Sequence, residues 1–220
     1  VKNSGIRFRK LAMAFVAVAF LLLGNVQKSV AQFSIGIAST NYTENFDGLT
    51  SGTWSDNVTL SGWYARTDAT ATITAYGANT GSSTGAGLYA FGANLTNPLS
   101  DRALGYTPSN GFTGGSGSGK GYIGWRLVNN TGATISSLSV TWTGEQWRVN
   151  NNTSTHILAL SYQQGASVSS LTTGTWTSTA SSFSSLINTA TTLALDGNAS
   201  ANRSAGINVI ITVNIPAGEE

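Results

Sequence analysis

The stretch Ile207-Asn208-Val209-Ile210-Ile211-Thr212-Val213-Asn214-Ile215 decides the fold. Ile207, Val209, Ile211, Val213 and Ile215 fall on one face of an extended chain, and Asn208, Thr212 and Asn214 on the other, with Ile210 the single apolar residue among them. A period of two is the mark of a strand with one covered and one wet face. The same alternation recurs in Ser137–Thr143, where Leu138, Val140 and Trp142 oppose Ser139 and Thr141. Tyr122–Val128 and Thr155–Gln163 carry apolar residues on both faces, which predicts central strands covered on both sides. Leu88–Ala93, Ala69–Tyr76 and Val58–Tyr64 are further strand candidates.

Between these runs lie turn formers: Phe46-Asp47-Gly48, Asn79-Thr80-Gly81, Asn129-Asn130-Thr131-Gly132 and Asp196-Gly197-Asn198. Helical periodicity is nearly absent. Short strands joined by Gly and Asn turns, with no helices to cover a parallel sheet, predict an all-β chain: an antiparallel two-sheet β-sandwich of jelly-roll or lectin-like type. Gly111–Gly121 is expected to be a flexible loop inside that domain, because strand-like patterns resume on both sides.

The N-terminus has a different character. Lys2, Arg7, Arg9 and Lys10 precede an apolar run from Leu11 to Gly24 and a polar stretch ending Ser29-Val30-Ala31. This is the layout of a secretory signal peptide, with cleavage expected after Ala31 and no membrane span left afterwards. The apolar run is shorter than the ~20 residues needed to cross a bilayer as a helix. The expected organisation is thus a signal peptide at 1–31, a short leader at 32–41 and a β-sandwich domain at 42–220. The expected destination is the outer cell surface or the medium.

Removing 31 of the 220 residues leaves 189, and the charge changes sign. Five of the 11 basic residues lie in the leader and all 9 acidic residues outside it, so a formal +2 becomes −3. The isoelectric point near 9.0 is then a property of the export signal. Arg66, Arg102, Lys120, Arg126, Arg148 and Arg203 are scattered singly, which argues against nucleic acid as a partner. The chain has no Cys, which excludes disulfides, thiolate metal sites and a Cys nucleophile together, and fits an exported bacterial protein.

Several segments occur together in order: Tyr42-Thr43-Glu44-Asn45-Phe46-Asp47-Gly48-Leu49, Gly62-Trp63-Tyr64-Ala65, Tyr76-Gly77-Ala78-Asn79-Thr80-Gly81, Gly87-Leu88-Tyr89-Ala90-Phe91-Gly92, Ser100-Asp101-Arg102-Ala103-Leu104-Gly105, Gly121-Tyr122-Ile123-Gly124 and Thr143-Gly144-Glu145-Gln146-Trp147-Arg148. As a set, over roughly Asn41 to Glu220, they resemble an N-terminal module of large secreted surface proteins of Bacteroidetes and other environmental bacteria. Such modules often stand upstream of lamin-tail, nuclease-like or repeat domains and a sorting tail. The resemblance implies a jelly-roll or lectin-like sandwich without an assigned activity. It also implies a further strand and an acidic closing segment beyond Glu220, so a domain truncated at its C-terminus is expected.

No catalytic constellation stands out. His156 is the only histidine and is expected to be structural. Gly114-Gly115-Ser116-Gly117-Ser118-Gly119-Lys120-Gly121 imitates a phosphate-binding loop but lacks the Ser or Thr after the Lys, and a strand pattern follows where a helix is required. Sugar faces stack on aromatic rings while carboxylates and amides take the hydroxyls. On that ground Trp54, Trp63, Tyr64, Glu145, Trp147 and Trp176 are the candidate ligand residues, for a polysaccharide or a cell-surface glycan. Trp125 and Trp142 alternate with small residues and are expected in the core. A structural calcium ion on Asp47, Asp196 and Asn198 is a further expectation, although no EF-hand-type spacing supports it.

Three functions are carried forward: a non-catalytic recognition or adhesion module, a secreted glycoside hydrolase using two carboxylates, and a spacer before an effector domain.

Overall fold

In the computed structural model the chain is described over residues 32–39, 41–69, 72–93, 101–115 and 119–220. The signal peptide, residues 70 and 71 of the predicted strand Ala69–Tyr76, and Ser116–Ser118 of the phosphate-loop look-alike lie outside these residues. The strands are β1 (Phe33–Ile35), β2 (Gly52–Thr53), β3 (Trp63–Thr67), β4 (Ala75–Asn79), β5 (Gly87–Phe91), β6 (Ala103–Thr107), β7 (Gly121–Trp125), β8 (Leu127–Asn129), β9 (Ile135–Glu145), β10 (Arg148–Asn152), β11 (Ile157–Tyr162), β12 (Thr177–Ser184), β13 (Thr189–Ala194) and β14 (Arg203–Ile215). One helical turn, α1 (Asn110–Thr113), is capped by the Ser109 hydroxyl, which accepts from the Phe112 N–H. A 3₁₀ turn covers Ser200–Asn202. The protein is an all-β sandwich in which antiparallel sheets pack together. Among the described residues no helix is long and apolar enough to cross a membrane.

The opening stretch behaves as its alternation dictates. In β14 Ile211, Val213 and Ile215 are buried while Ile210, Thr212 and Asn214 are exposed. β9 pairs with it antiparallel, Val209 opposite Val140 and Ile211 opposite Leu138. Leu160 and Tyr162 of β11 close this cluster with Leu127 and Ile135. A second cluster gathers Trp54, Ala65, Ile73 and Leu88 with Leu104, Tyr106, Phe112 and Ile123. It is served by the ladder β2-β4-β5-β6 and by the antiparallel pair β3-β7.

Several expectations change. β11 pairs with β12 and leaves Ile157 and Leu158 64% and 55% exposed, so Thr155–Gln163 is not covered on both faces. The strand predicted at Val58–Tyr64 begins at Trp63, because residues 56–62 form consecutive turns pinned by Asn57, whose Oδ1 accepts from the Gly62 N–H at 2.8 Å. The leader is no bystander: β1 pairs with β8. Two pairings, β1-β8 and β4-β5, are parallel. Parallel neighbours need a crossover to carry the chain back, here residues 80–86 alone.

That crossover is tightly held. Asn79 Oδ1 accepts from the Gly81 and Ser83 N–H groups at 2.8 and 3.3 Å, and Arg148 Nη1 donates to the Gly81 and Ser82 carbonyls at 2.8 and 3.1 Å. Gly81 has φ +81°, and a Cβ there would lie 1.9 Å from the Trp147 carbonyl oxygen. Only glycine meets both conditions.

Candidate functional site

The turn Gln146-Trp147 between β9 and β10 is the seed of the site. Trp147 is 5% exposed. One face of its indole stacks on Phe91, centroids 5.9 Å apart and planes 19° apart. Gly197 presses on the ring as well, since a Cβ there would lie 2.3 Å from Cε2. The indole Nε1 donates to Glu145 Oε2 at 2.9 Å. Trp147 also accepts the Leu195 N–H through its carbonyl at 2.9 Å, which ties the β10 entry to the segment after β13. A shallow cleft of about 300 Å³ opens here, lined by Thr80, Ala93, Trp147, Ala194, Leu195 and Asp196.

Around that cleft the turn 196–202 and the segment Asp101-Arg102 come together. Asp196 Oδ1 accepts from the Asn198 N–H at 3.1 Å, and Asn198 Nδ2 donates to the Asp101 carbonyl at 2.9 Å. Asn202 Nδ2 donates to the Asp196 carbonyl at 2.8 Å, while the Asn202 carbonyl accepts from the Gln146 N–H at 2.8 Å. Arg203, opposite Glu145 in the β14-β9 register, makes an ion pair of 3.5 Å with Asp101. Asp101 has φ +58°, a strained setting for a residue with a Cβ, held by these contacts.

Burial raises the Glu145 carboxyl above its ordinary value, opposed by the Trp147 N–H bond and reinforced by the negative charges of Asp101 and Asp196. Desolvation disfavours the carboxylate there, although Arg203 works the other way.

The sequence candidates fall into separate groups. Glu145, Trp147, Asp196 and Asn198 share this one location. Asp47 sits on the other side of Asp101-Arg102, its Oδ1 taking the Arg102 N–H at 2.9 Å and its Oδ2 the Asn45 Nδ2 at 2.9 Å, so it is spent on holding the loop. Trp54 is 2% exposed, its Nε1 bound to Asp56 Oδ1 at 2.8 Å, and has no face for a ligand. Trp63 is half-buried, donating to the Tyr42 hydroxyl at 2.9 Å and edge-on to Phe46. Tyr64 stands beside Arg126, and burial raises its phenol. Trp176 is half-buried on a loop, closed onto the Thr173 carbonyl at 3.1 Å. Trp125 stacks on Tyr42, 4.5 Å between centroids, and Trp142 donates to Ser181 Oγ at 2.9 Å.

Sequence reading missed Thr80, Arg203 and Asn202 at the site. Arg203 had a visible signal as a lone charge in a charge-poor chain; Thr80 and Asn202 had none. His156 is exposed, with Nε2 2.8 Å from Asn152 Nδ2, and stands apart from these groups. Among the described residues, no three His, Cys, Asp or Glu side chains form a metal-holding group. No family model, curated protein or solved structure matches the chain.

Proposed function

We propose that the chain is a non-catalytic module of an exported bacterial surface protein, and that it recognises carbohydrate in the cleft beside Trp147. The observation that carries this reading is a cleft of about 300 Å³ in which the indole of Trp147, the exposed carboxylate of Asp196 and Thr80 come together from three segments distant in sequence, with the half-buried Glu145 bound to the indole Nε1. That volume stands at the low end for ligand sites, which suits a short stretch of saccharide rather than a long polymer groove. Trp147 is enclosed by Phe91 and Gly197 and offers little surface for stacking, so hydroxyl contacts to Asp196 and Thr80 supply the specificity. The export-signal pattern of residues 1–31 supports a setting in which surface glycans are the available ligands.

The test is a glycan array and polysaccharide pull-down with the wild-type chain and with Asp196→Ala. Binding by the wild type that the variant loses is the expected result. No binding to any sugar would remove recognition and leave a structural spacer.

A second reading, a secreted glycoside hydrolase, is favoured by the raised Glu145 carboxyl with Asp101 and Asp196 as charged neighbours. It requires a second carboxylate at roughly 5–10 Å to act as base or nucleophile. Reducing-sugar release by the wild type, abolished in Glu145→Gln, would establish it; binding without turnover would exclude it.

A further inference from the structure

The turn Asp196-Gly197-Asn198-Ala199-Ser200-Ala201-Asn202 places an oxygen-bearing side chain at every second position. Its two asparagines are anchored through their amide nitrogens, Asn198 to the Asp101 carbonyl and Asn202 to the Asp196 carbonyl. Those bonds fix which end of each amide is oxygen. Both oxygens are buried and have no hydrogen-bond partner, and Asn202 as a whole is 8% exposed. A buried acceptor without a donor is costly, and both belong to one short turn, so an electropositive group bound there would satisfy them.

The donor set defines the ligand. It contains amide, hydroxyl and carboxylate oxygens and no thiolate or imidazole, which suits a hard cation and not a transition metal. Calcium accepts neutral amide oxygens in a flexible geometry, whereas magnesium demands a near-ideal octahedron and keeps its waters. The turn is not an EF-hand loop, since Ala201 stands where that loop requires Gly and Ile207 where it requires Glu. Asp101 is partly neutralised by Arg203, so Asp196 carries the local negative charge, with Glu145 behind it.

We infer that the 196–202 turn binds calcium through the side-chain oxygens of Asp196, Asn198 and Asn202. With one full carboxylate in the set, affinity falls in the weak range of extracellular calcium modules, about 10⁻⁴–10⁻³ M. The inference shares Asp196 with the proposed carbohydrate cleft but rests on the turn's own oxygens, and its readouts, melting temperature and terbium emission, require no sugar.

The test uses the full chain stripped with a chelator and then titrated with calcium, magnesium and terbium. Calcium at about 10 mM should raise Tm by about 3 °C, and magnesium by much less. Terbium emission should be sensitised by Trp147, whose ring lies against Gly197, and be displaced by calcium. Asp196→Ala, at an exposed position, should abolish both responses. Coincident melting curves in calcium and chelator with no sensitised emission would overturn the inference and assign the two oxygens to buried water. A calcium response that survives in Asp196→Ala would overturn it too, by locating the cation elsewhere.

Discussion

Trp147 shows what a single residue can and cannot reveal in advance. Its position in Gly144-Glu145-Gln146-Trp147 identified a turn beside an acid, and the structure keeps both. Its burial was not legible, because Phe91 and Gly197 that enclose it are each about fifty residues away. Gly197→Ala should therefore destabilise the fold by about 1–3 kcal/mol, the usual cost of overpacking, measurable in denaturant melts. Glu145 gives a pH-dependent counterpart. Its carboxyl is raised in the folded state, so its contribution is most favourable below the unfolded carboxylate pKa and is lost as pH rises through the folded one. Glu145→Gln should raise Tm by about 1 °C at neutral pH, the small figure reflecting partial exposure, and the advantage should vanish in acid. Equal melting curves for the two proteins from pH 4 to pH 8 would refute this.

Elements were legible where one face is wet and the other dry. β14 and β9 announced themselves because period-two alternation survives intact over most of both strands. Thr155–Gln163 misled because its apolar residues are not evidence of cover: Ile157 and Leu158 of β11 are exposed. β3 began later than its composition suggests because Asn57 closes a turn across five residues, and side-chain-to-backbone bonds of this kind outweigh strand propensity. The two faces of β14 give a paired prediction. Ile211→Ala, at a site 6% exposed, should cost about 2–4 kcal/mol of stability. Ile210→Thr, one residue earlier and 70% exposed, should change it by no more than about 0.5 kcal/mol. Equal costs at both positions would mean that the register of β14 against β9 is wrong.

Across the whole molecule, alternation and turn chemistry predicted an all-β sandwich, but not that its ladders divide between two apolar clusters. That division depends on long-range pairings such as β1 with β8, which no local pattern records. Distant segments are also tied through one ion pair: Glu220 takes Arg126 Nε and Nη2 at 2.7 and 2.9 Å and the Val168 N–H at 2.8 Å, and Gln32 donates to it as well. Glu220→Ala leaves that half-buried guanidinium without its carboxylate and should cost about 2 kcal/mol. The cleft beside Trp147 is assembled in the same long-range way, from residues at 80, 93, 147 and 196. Its role as the carbohydrate seat is tested most directly by following the six indole N–H signals of the chain by ¹H–¹⁵N NMR during titration with a saccharide that the array identifies. The Trp147 signal should move and saturate with ligand while that of Trp54, 2% exposed and bound to Asp56, stays still. Movement confined to Trp63 or Trp176, with Trp147 unchanged, would contradict the account.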